Sequence, residues 1–545
     1  MVDLGGPVTA AQIYRVADGA GATLGDAARA RVADAQATLE RAIAARRRIY
    51  GVTTGYGPLA SHPVTPEQSA TLQRNLVYHL ASGVGPPFTD RQVRAIMAAR
   101  VASLARGHSG IGHELLDLVL NCLNRGVHPV VPCMGTVGAS GDLTPLAHVA
   151  LALMGEGECT LDGHRYPSAV ALQVAGLRPV QLGPKEGIAL VNGTSAMTGV
   201  AALNAVRASR LVRLAFRSAV AHAEVFTGRR EAWDPRFGIA RPHRGQRLAH
   251  QRLQRLIQGS SRLLNYDDLP PRLDESGLAD GLLPEGELPQ DAYTIRCVPQ
   301  LFGAVLDVLR FHQETVHTEL RSASDNPLVF PDEEALLHGG NFYGQHISFA
   351  SDALMLAIVK TAVWSERAIA RLTDRARNQG LPAFLHGGPA GLNSGFMGAQ
   401  VTASALVAEL RSRAHPASIQ SISTNADNQD VVTLGTIAAR KASEALDLAW
   451  NVLAIQAMTL AQAVELRAGN GSGGAFSAST EELVALVRTA HPPLTTDRPL
   501  SPEIARVATL LEGTDWAVLD RAYAPEGAFA AASAAAFAAR ERATA

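Results

Sequence analysis

The longest apolar stretch of the chain, Leu446 to Val464, is broken by Asp447, Asn451, Gln456 and Gln462. Those polar breaks argue against a membrane span, while the apolar residues between them leave hardly any solvent face. The stretch reads as a helix buried nearly all round, which requires other helices packed on every side. Candidates are plentiful: Ala-, Leu- and Arg-rich segments with helical periodicity lie at about 90–105, 113–124, 197–225, 298–323, 343–375, 398–412 and 436–466. Asp26 is placed to cap a further helix running to about Arg48, with Arg46, Arg47 and Arg48 at its electronegative end. β-Branched runs bounded by turns are few and short, so no parallel sheet is expected.

A mainly α fold is therefore predicted. A mixed but mostly helical N-terminal region, 1–200, is followed by a long helical bundle, 201–545. Gly- and Pro-rich interruptions fall at Gly51–Pro58, Gly135–Gly141, Leu269–Pro289, Gly387–Gly395 and Gly469–Gly474, and an Ala-rich tail from Ala524 reads as a marginal helix. Of the 545 residues 47% are hydrophobic and only 18% charged, more apolar than an ordinary globular chain, which points to large subunit interfaces. A net charge of −1 gives no electrostatic reason to expect nucleic acid or membrane as partner. The four cysteines, Cys122, Cys133, Cys159 and Cys297, are scattered without a C-x-x-C. With no secretory leader read after Met1, they fit a reducing, cytoplasmic setting, and no metal is expected.

Three look-alike motifs do not hold. Gly469-Asn-Gly-Ser-Gly-Gly474 lacks the Lys-Ser/Thr of a phosphate loop. Ser324-Asp325-Asn326 resembles a β-lactamase element, but Lys360-Thr361 is followed by Ala362 instead of glycine. His312 and His317 are five apart, which on a helix separates them by about 140° and not onto one metal-binding face.

Residues 135–148, Gly-Thr-Val-Gly-Ala-Ser-Gly-Asp-Leu-Thr-Pro-Leu-Ala-His, are of another kind. In a tight bend the Gly141 amide nitrogen can attack the Ala139 carbonyl carbon. Loss of two waters, one of them from the Ser140 side chain, then leaves a 4-methylidene-imidazol-5-one ring with an exposed C=CH2. Glycine suits the attacking position because no Cβ blocks the approach. No standard side chain is a strong electrophile, so such a ring would define the chemistry. Alone, Ala-Ser-Gly also reads as a plain turn. Further blocks follow in order: Tyr50-Gly51-Val52-Thr53-Thr54-Gly55-Tyr56-Gly57, Asn75 to Gly85 around Tyr78-His79-Leu80, Leu190-Val191-Asn192-Gly193-Thr194, Gln290-Asp291-Ala292-Tyr293-Thr294-Ile295-Arg296, Gly339-Gly340-Asn341-Phe342, Gly391 to Met397, and Asn425-Ala426-Asp427-Asn428-Gln429-Asp430.

Together these blocks resemble the aromatic amino acid ammonia-lyases and aminomutases, from about residue 10 to about residue 515. The resemblance implies the self-made cofactor formed by Ala139, Ser140 and Gly141, an aromatic amino acid substrate, and a homotetramer whose active sites draw loops from neighbouring subunits. It implies Tyr50 as the base that removes the β-proton; a phenol must be activated locally for that task. The Gly-rich stretch after it reads as a loop that closes over substrate. Arg296 matches the arginine that clamps the substrate carboxylate, for which a bidentate fork suits a planar group. Tyr293 matches the tyrosine beside the electrophile, Asn192 the asparagine that hydrogen-bonds the ring carbonyl, and Phe342 the phenylalanine packed against the ring. Ala292 stands where the family carries proline, which makes that turn less rigid.

Two places set the expected substrate. His79-Leu80 falls at the family's ring-selectivity pair, which is His-Leu in tyrosine lyases, Phe-Leu in phenylalanine lyases and Ser-His in histidine lyases. An imidazole can hydrogen-bond a para-hydroxyl, and a site built around that bond penalises its absence. Tyr78 departs from the His-His-Leu of the tyrosine lyases. Gln429 stands where histidine lyases carry a glutamate, and a neutral amide does not favour a cationic ring. Asn425 and Asn428 are expected to line the same pocket. The expectation is a tyrosine ammonia-lyase that yields trans-4-coumarate and ammonia and acts more weakly on phenylalanine. The alternatives are a tyrosine 2,3-aminomutase, a phenylalanine or histidine lyase, and, last, a non-catalytic helical scaffold.

Overall fold

The structure, a computed structural model, describes residues 1–268, 288–469 and 473–517. The interruption at Leu269–Pro289 up to residue 287, the middle of Gly469–Gly474 and the Ala-rich tail from Ala524 lie outside the described residues. Helices dominate, and the periodic segments are where they form: Asp90–Leu104, His113–Asn124, Ser195–Val225, Val298–Glu319, Gln345–Thr373, Met397–Arg413 and Gly435–Gly469. The strands are two to four residues long and make only two- and three-stranded sheets. The hairpin of Glu158–Leu161 and His164–Pro167 turns at Asp162-Gly163, both at positive φ, as a tight two-residue hairpin requires.

The chain forms two compact units, each discontinuous in sequence. The first comprises Met1–Val206, Arg310–Leu356 and Ala414–Glu444; the second comprises Arg207–Leu309, Ala357–Arg413 and Ala445 onward. The breaks after residues 206, 309, 356 and 444 all fall inside long helices.

The first unit is built around Asp90–Leu104, whose residues from Val93 to Leu104 are all buried, two arginines included. Those arginines spend their forks on main-chain oxygens: Arg94 donates to Val16 O at 2.8 Å and Leu123 O at 2.7 Å. In the second unit the Leu446–Val464 stretch lies within Gly435–Gly469 and is buried on nearly every side. Its polar breaks have local uses. Asp447 pairs with Arg207 at 2.6 Å, and Gln462 bonds the main chain of Leu385 and Leu494. Among the described residues only Gln345–Thr373 is long and apolar enough to cross a membrane, and most of it is buried in the protein.

The helix expected over Asp26–Arg48 is shorter, Asp26–Ala44, and Asp26 does not cap it. Gly25 occupies the capping position in an extended conformation without a side-chain bond, and Asp26 is already in the first turn. At the other end Arg46 turns left-handed at φ +54. Arg47 N–H donates to Ala42 O and Arg46 N–H to Ile43 O, a Schellman closure that leaves the three arginines beyond the helix.

Candidate active site

Residues 138–141 turn between strand Pro132–Met134 and helix Leu143–Leu153. Gly141 sits at φ +73 and pairs with Gly193. A Cβ on Gly141 would lie 2.2 Å from the Gly193 carbonyl oxygen, so only glycine fits there. Asp142 N–H then donates to the same oxygen at 2.8 Å. On the other flank Val137 O accepts from Leu434 N–H at 2.9 Å, and Gly138 O from the Thr433 hydroxyl at 3.2 Å. The tripeptide is thus held on both sides by residues remote in sequence. Asp142 is fully buried, accepting from Met197 N–H at 2.8 Å and from the Thr436 hydroxyl. Burial pushes its carboxyl up to about 6, against the pull of these hydrogen bonds.

Ser140 meets Gln429, whose Nε2 donates to Ser140 Oγ at 3.3 Å. Gln429 closes a compact turn: it exchanges main-chain bonds with Thr424 at 3.1 and 3.3 Å, and its Oε1 accepts from the Thr424 hydroxyl at 2.9 Å. Inside it Asn425, Ala426 and Asp427 are left-handed in succession, at φ +56, +51 and +60. Asn and Asp tolerate this conformation, whereas alanine pays a steric penalty there. Asn428 is exposed at the same turn, its N–H donating to Asn425 O at 3.2 Å.

Tyr50 lies just before this turn's neighbour, the loop that ends in the short 3-10 helix Gly57–Ser61. Its phenol oxygen accepts from Gly57 N–H at 2.8 Å, a donor able to stabilise charge on that oxygen. The Asn425 side chain lies directly against Gly57, with Nδ2 2.7 Å from where a Cβ would stand. The Tyr56 ring meets Tyr50 edge-on at 6.2 Å, and the Tyr56 hydroxyl is buried. Burial drives Tyr56 well above the ordinary tyrosine range. Tyr56 is therefore held as a neutral phenol, with no phenolate to take a proton.

Asn192 stands at the end of helix Glu186–Val191. Its Nδ2 donates to Asn326 O at 3.1 Å, and its Oδ1 is buried without a partner among the described residues. Arg100 gathers this corner, donating to Ala189 O, to Asn192 O at 3.1 Å and to Ser324 O at 3.0 Å. Asn326 Oδ1 accepts from Gly339 N–H at 2.7 Å, and Asn341 Nδ2 donates to Ala323 O at 2.6 Å, which fixes the loop carrying half-buried Phe342. Asp325 is paired with buried Lys185 at 2.6 Å. Ser324-Asp325-Asn326, the β-lactamase look-alike, is thus the brace between Asn192 and the Phe342 loop.

These contacts close a circuit. From Tyr50 it passes to Gly57, Asn425, Gln429, Ser140, Gly141, Gly193, Asn192, Asn326 and Gly339, and the adjacent His338 accepts from Tyr50 N–H at 3.1 Å. His79 and Leu80 end helix Ser69–Leu80, which packs against Leu143–Leu153 and Glu186–Val191. Leu80 packs on the core. His79 is exposed at the helix end, and desolvation holds its imidazole below the ordinary histidine value. Tyr78 is exposed, its hydroxyl donating to Glu156 at 2.5 Å.

Tyr293 and Arg296 belong to the second unit. Tyr293–Arg296 is a single helical turn anchored by Trp364 Nε1 on Thr294 O at 3.0 Å and Trp233 Nε1 on Ile295 O at 2.9 Å. Positions three apart on a helical turn share a face, and the Arg296 guanidinium lies 4.6 Å from the Tyr293 ring centroid. Ala292 takes φ −61 and ψ 157, close to what proline imposes, so the missing ring has not changed the turn. Sequence reasoning passed over Asp142, Thr424, Asn326 and His338. Asp142 stood inside the 135–148 motif, His338 and Thr424 directly before recognised blocks, and Asn326 in the β-lactamase look-alike that was set aside.

The family model for aromatic amino acid lyases matches residues 8–489. The tyrosine ammonia-lyase of Cereibacter sphaeroides is 48% identical over 92% of this chain and 95% of its own. The histidine ammonia-lyase of Symbiobacterium thermophilum is 40% identical over 94% and 96%. Among solved structures, the tyrosine aminomutase from Streptomyces globisporus superposes with a TM-score of 0.89 at 37% identity, covering 97% of this chain and 99% of that one. The chain, whose mainly α architecture and quoted motifs already pointed this way, belongs to the aromatic amino acid lyase family.

Proposed function

We propose that this enzyme is a tyrosine ammonia-lyase that eliminates ammonia from L-tyrosine to give trans-4-coumarate, with phenylalanine a poorer substrate. The observation that carries the reading is the pairing of a neutral amide, Gln429, with Ser140, in a protein that presents His79 next to Leu80. A cationic imidazole side chain finds no carboxylate at Gln429, whereas a para-hydroxyl finds a partner in His79. Ala139, Ser140 and Gly141 fit the 4-methylidene-imidazol-5-one cofactor: the turn is tight, Gly141 admits no side chain, and the flanks are pinned. When formed, that group supplies the electrophile that makes the substrate amine a better leaving group.

The chain's own residues do the remainder. Tyr50 takes the β-proton at its phenol oxygen, with Gly57 N–H stabilising the charge that oxygen carries. Arg296 grips the substrate carboxylate, beside Tyr293. Asn192 offers its second amide N–H to the developing negative charge, since Nδ2 spends only one on Asn326 O. Leu80 and Phe342 give the ring an apolar wall, with Asn425 and Asn428 at the pocket edge. The apolar side chains Ile419, Ile422 and Val431 stand exposed on either side of the Gln429 turn, at 69%, 59% and 60%, and support a homotetramer in which neighbouring subunits complete the site. The unpaired thiols fit a cytoplasmic setting.

The likeness to the tyrosine aminomutase supports one second reading, in which ammonia returns to C3. Incubation with tyrosine, phenylalanine and histidine, with coumarate, cinnamate and urocanate followed in the near ultraviolet and β-tyrosine sought by chromatography, separates these readings. Coumarate without β-tyrosine is the expected product. Intact mass should be lower than the sequence mass by two waters, and Ser140→Ala should abolish both the mass loss and nearly all activity.

A further inference from the structure

Two side chains hold the main chain on either side of Tyr50. Gln73, fully buried on helix Ser69–Leu80, donates from Nε2 to Gly51 O at 2.8 Å and accepts Ile188 N–H on Oε1 at 3.0 Å. His338 accepts the Tyr50 N–H itself on Nε2 at 3.1 Å. The two anchors differ in kind. An amide keeps its donor and acceptor at every pH, whereas an imidazole nitrogen that accepts a hydrogen bond becomes a donor once protonated and then opposes an N–H.

We propose that His338 is a positioning residue for the base: its neutral imidazole latches the Tyr50 main chain in the working geometry, and protonation opens the latch. The inference rests on the reading of Tyr50 as the base. His338 is itself well fixed. It follows strand Ala335–Leu337 directly and precedes Gly339, whose N–H is held by Asn326 Oδ1 at 2.7 Å. The latch therefore ties the base loop to the same brace that orients Asn192 and carries Phe342.

The surroundings favour the latched state. The charged groups facing His338 are both cations: Arg47, on the segment leading into the loop, and Lys185, at the start of helix Glu186–Val191. Arg47 also donates to Glu334 O at 3.0 Å, on the hairpin that carries His338, and Lys185 is paired with Asp325. Desolvation, then these two cations, hold His338 below the ordinary histidine value. A group lowered in this way stays neutral, and the latch closed, through neutral pH; the latch is lost as pH falls through the lowered value.

The test compares wild type, His338→Gln and His338→Ala with L-tyrosine across pH, reading kcat, KM and the primary isotope effect with tyrosine deuterated at Cβ. Glutamine can place an acceptor oxygen near the position of Nε2 and does not titrate. His338→Ala should lose about tenfold in kcat, with KM changed by no more than about twofold and a larger isotope effect. His338→Gln should regain most of kcat at neutral pH and lack the wild-type acid limb. Wild-type kcat in His338→Ala, or the wild-type acid limb persisting in His338→Gln, overturns the latch, and the second criterion stands even if the alanine variant does not fold. Tyr50→Phe in the same series reports on the underlying reading. Undiminished turnover there removes Tyr50 as the base, whereas an inactive Tyr50→Phe beside an unaffected His338→Ala removes the latch alone.

Discussion

Replacing Asp142 by asparagine should flatten the dependence of stability on pH. Asp142 is fully buried, and burial raises its carboxyl from 3.8 to about 6. Between those values the native state binds a proton that the unfolded chain has released. Stability from this group is therefore fully present below 3.8 and is lost as pH rises through about 6. The whole effect is about 3 kcal/mol, and about 1 kcal/mol of it falls between about pH 5 and about pH 7.5. Asparagine has nearly the same shape. Its oxygen can accept the Met197 N–H, while its amide donates to Thr436 Oγ1 after the hydroxyl turns round. It does not titrate. Urea denaturation followed by tryptophan fluorescence at the two pH values gives wild type a loss with rising pH that exceeds the variant's by about 1 kcal/mol. Every other titrating group cancels in that comparison. An equal pH dependence in the two proteins would show that the Asp142 carboxylate is not desolvated as its burial requires.

Gly193→Ala should destabilise by more than about 3 kcal/mol and impair cofactor formation, read by urea midpoint and intact mass, because the added Cβ would stand 2.2 Å from an Arg100 nitrogen and 2.3 Å from Ser324 O. Ala292→Pro should be neutral or stabilising by up to about 1 kcal/mol in the same denaturation assay, since φ is already −61; a clear loss would mean that the ring meets something the backbone does not reveal. His79→Phe removes the partner of the para-hydroxyl and should lower the ratio of kcat/KM for tyrosine over phenylalanine by at least about tenfold. An unchanged ratio would move selectivity to Asn425, Asn428 or Gln429.

Helix positions were legible because burial writes a period of 3.6 into the sequence, and nothing in the family resemblance was needed to place Asp90–Leu104 or Gly435–Gly469. Helix ends were less so. Three consecutive arginines after Ala44 look like a helix terminus complementing its dipole, yet one of them is the left-handed residue that closes the helix. An arginine in that role has no composition signal, as glycine would. The site residues were legible through motifs, and their supports were not. Asn326 acts through one main-chain oxygen and one amide oxygen, Thr424 through a hydroxyl on Gln429, and His338 through an accepted N–H. The Asn192–Asn326 and Tyr50–His338 bonds join residues more than a hundred positions apart, and the shorter Asn326–Gly339 and Thr424–Gln429 links run through irregular loops, so none leaves a pattern of spacing.

The arrangement also accounts for why so helical a protein keeps Ala139-Ser140-Gly141 off the helices. Forming a ring from Ala139, Ser140 and Gly141 needs a backbone bent more tightly than a helix allows, and a bent segment alone would sample many shapes. The structure removes that freedom from outside. Gly193 holds one flank, Thr433 and Leu434 the other, and Gln429 reaches Ser140 from a turn whose three left-handed residues cost energy that the surrounding bonds offset. Each of those holders starts or ends a long helix or is braced against one: Gly193 precedes Ser195–Val225, and Leu434 precedes Gly435–Gly469. Helices thus supply fixed ends, and Ala139, Ser140, Gly141, Asn192 and Gln429 sit on the short segments between them, unable to relax singly. A change at any one holder should therefore register first as a loss of cofactor formation and only then as a loss of fold.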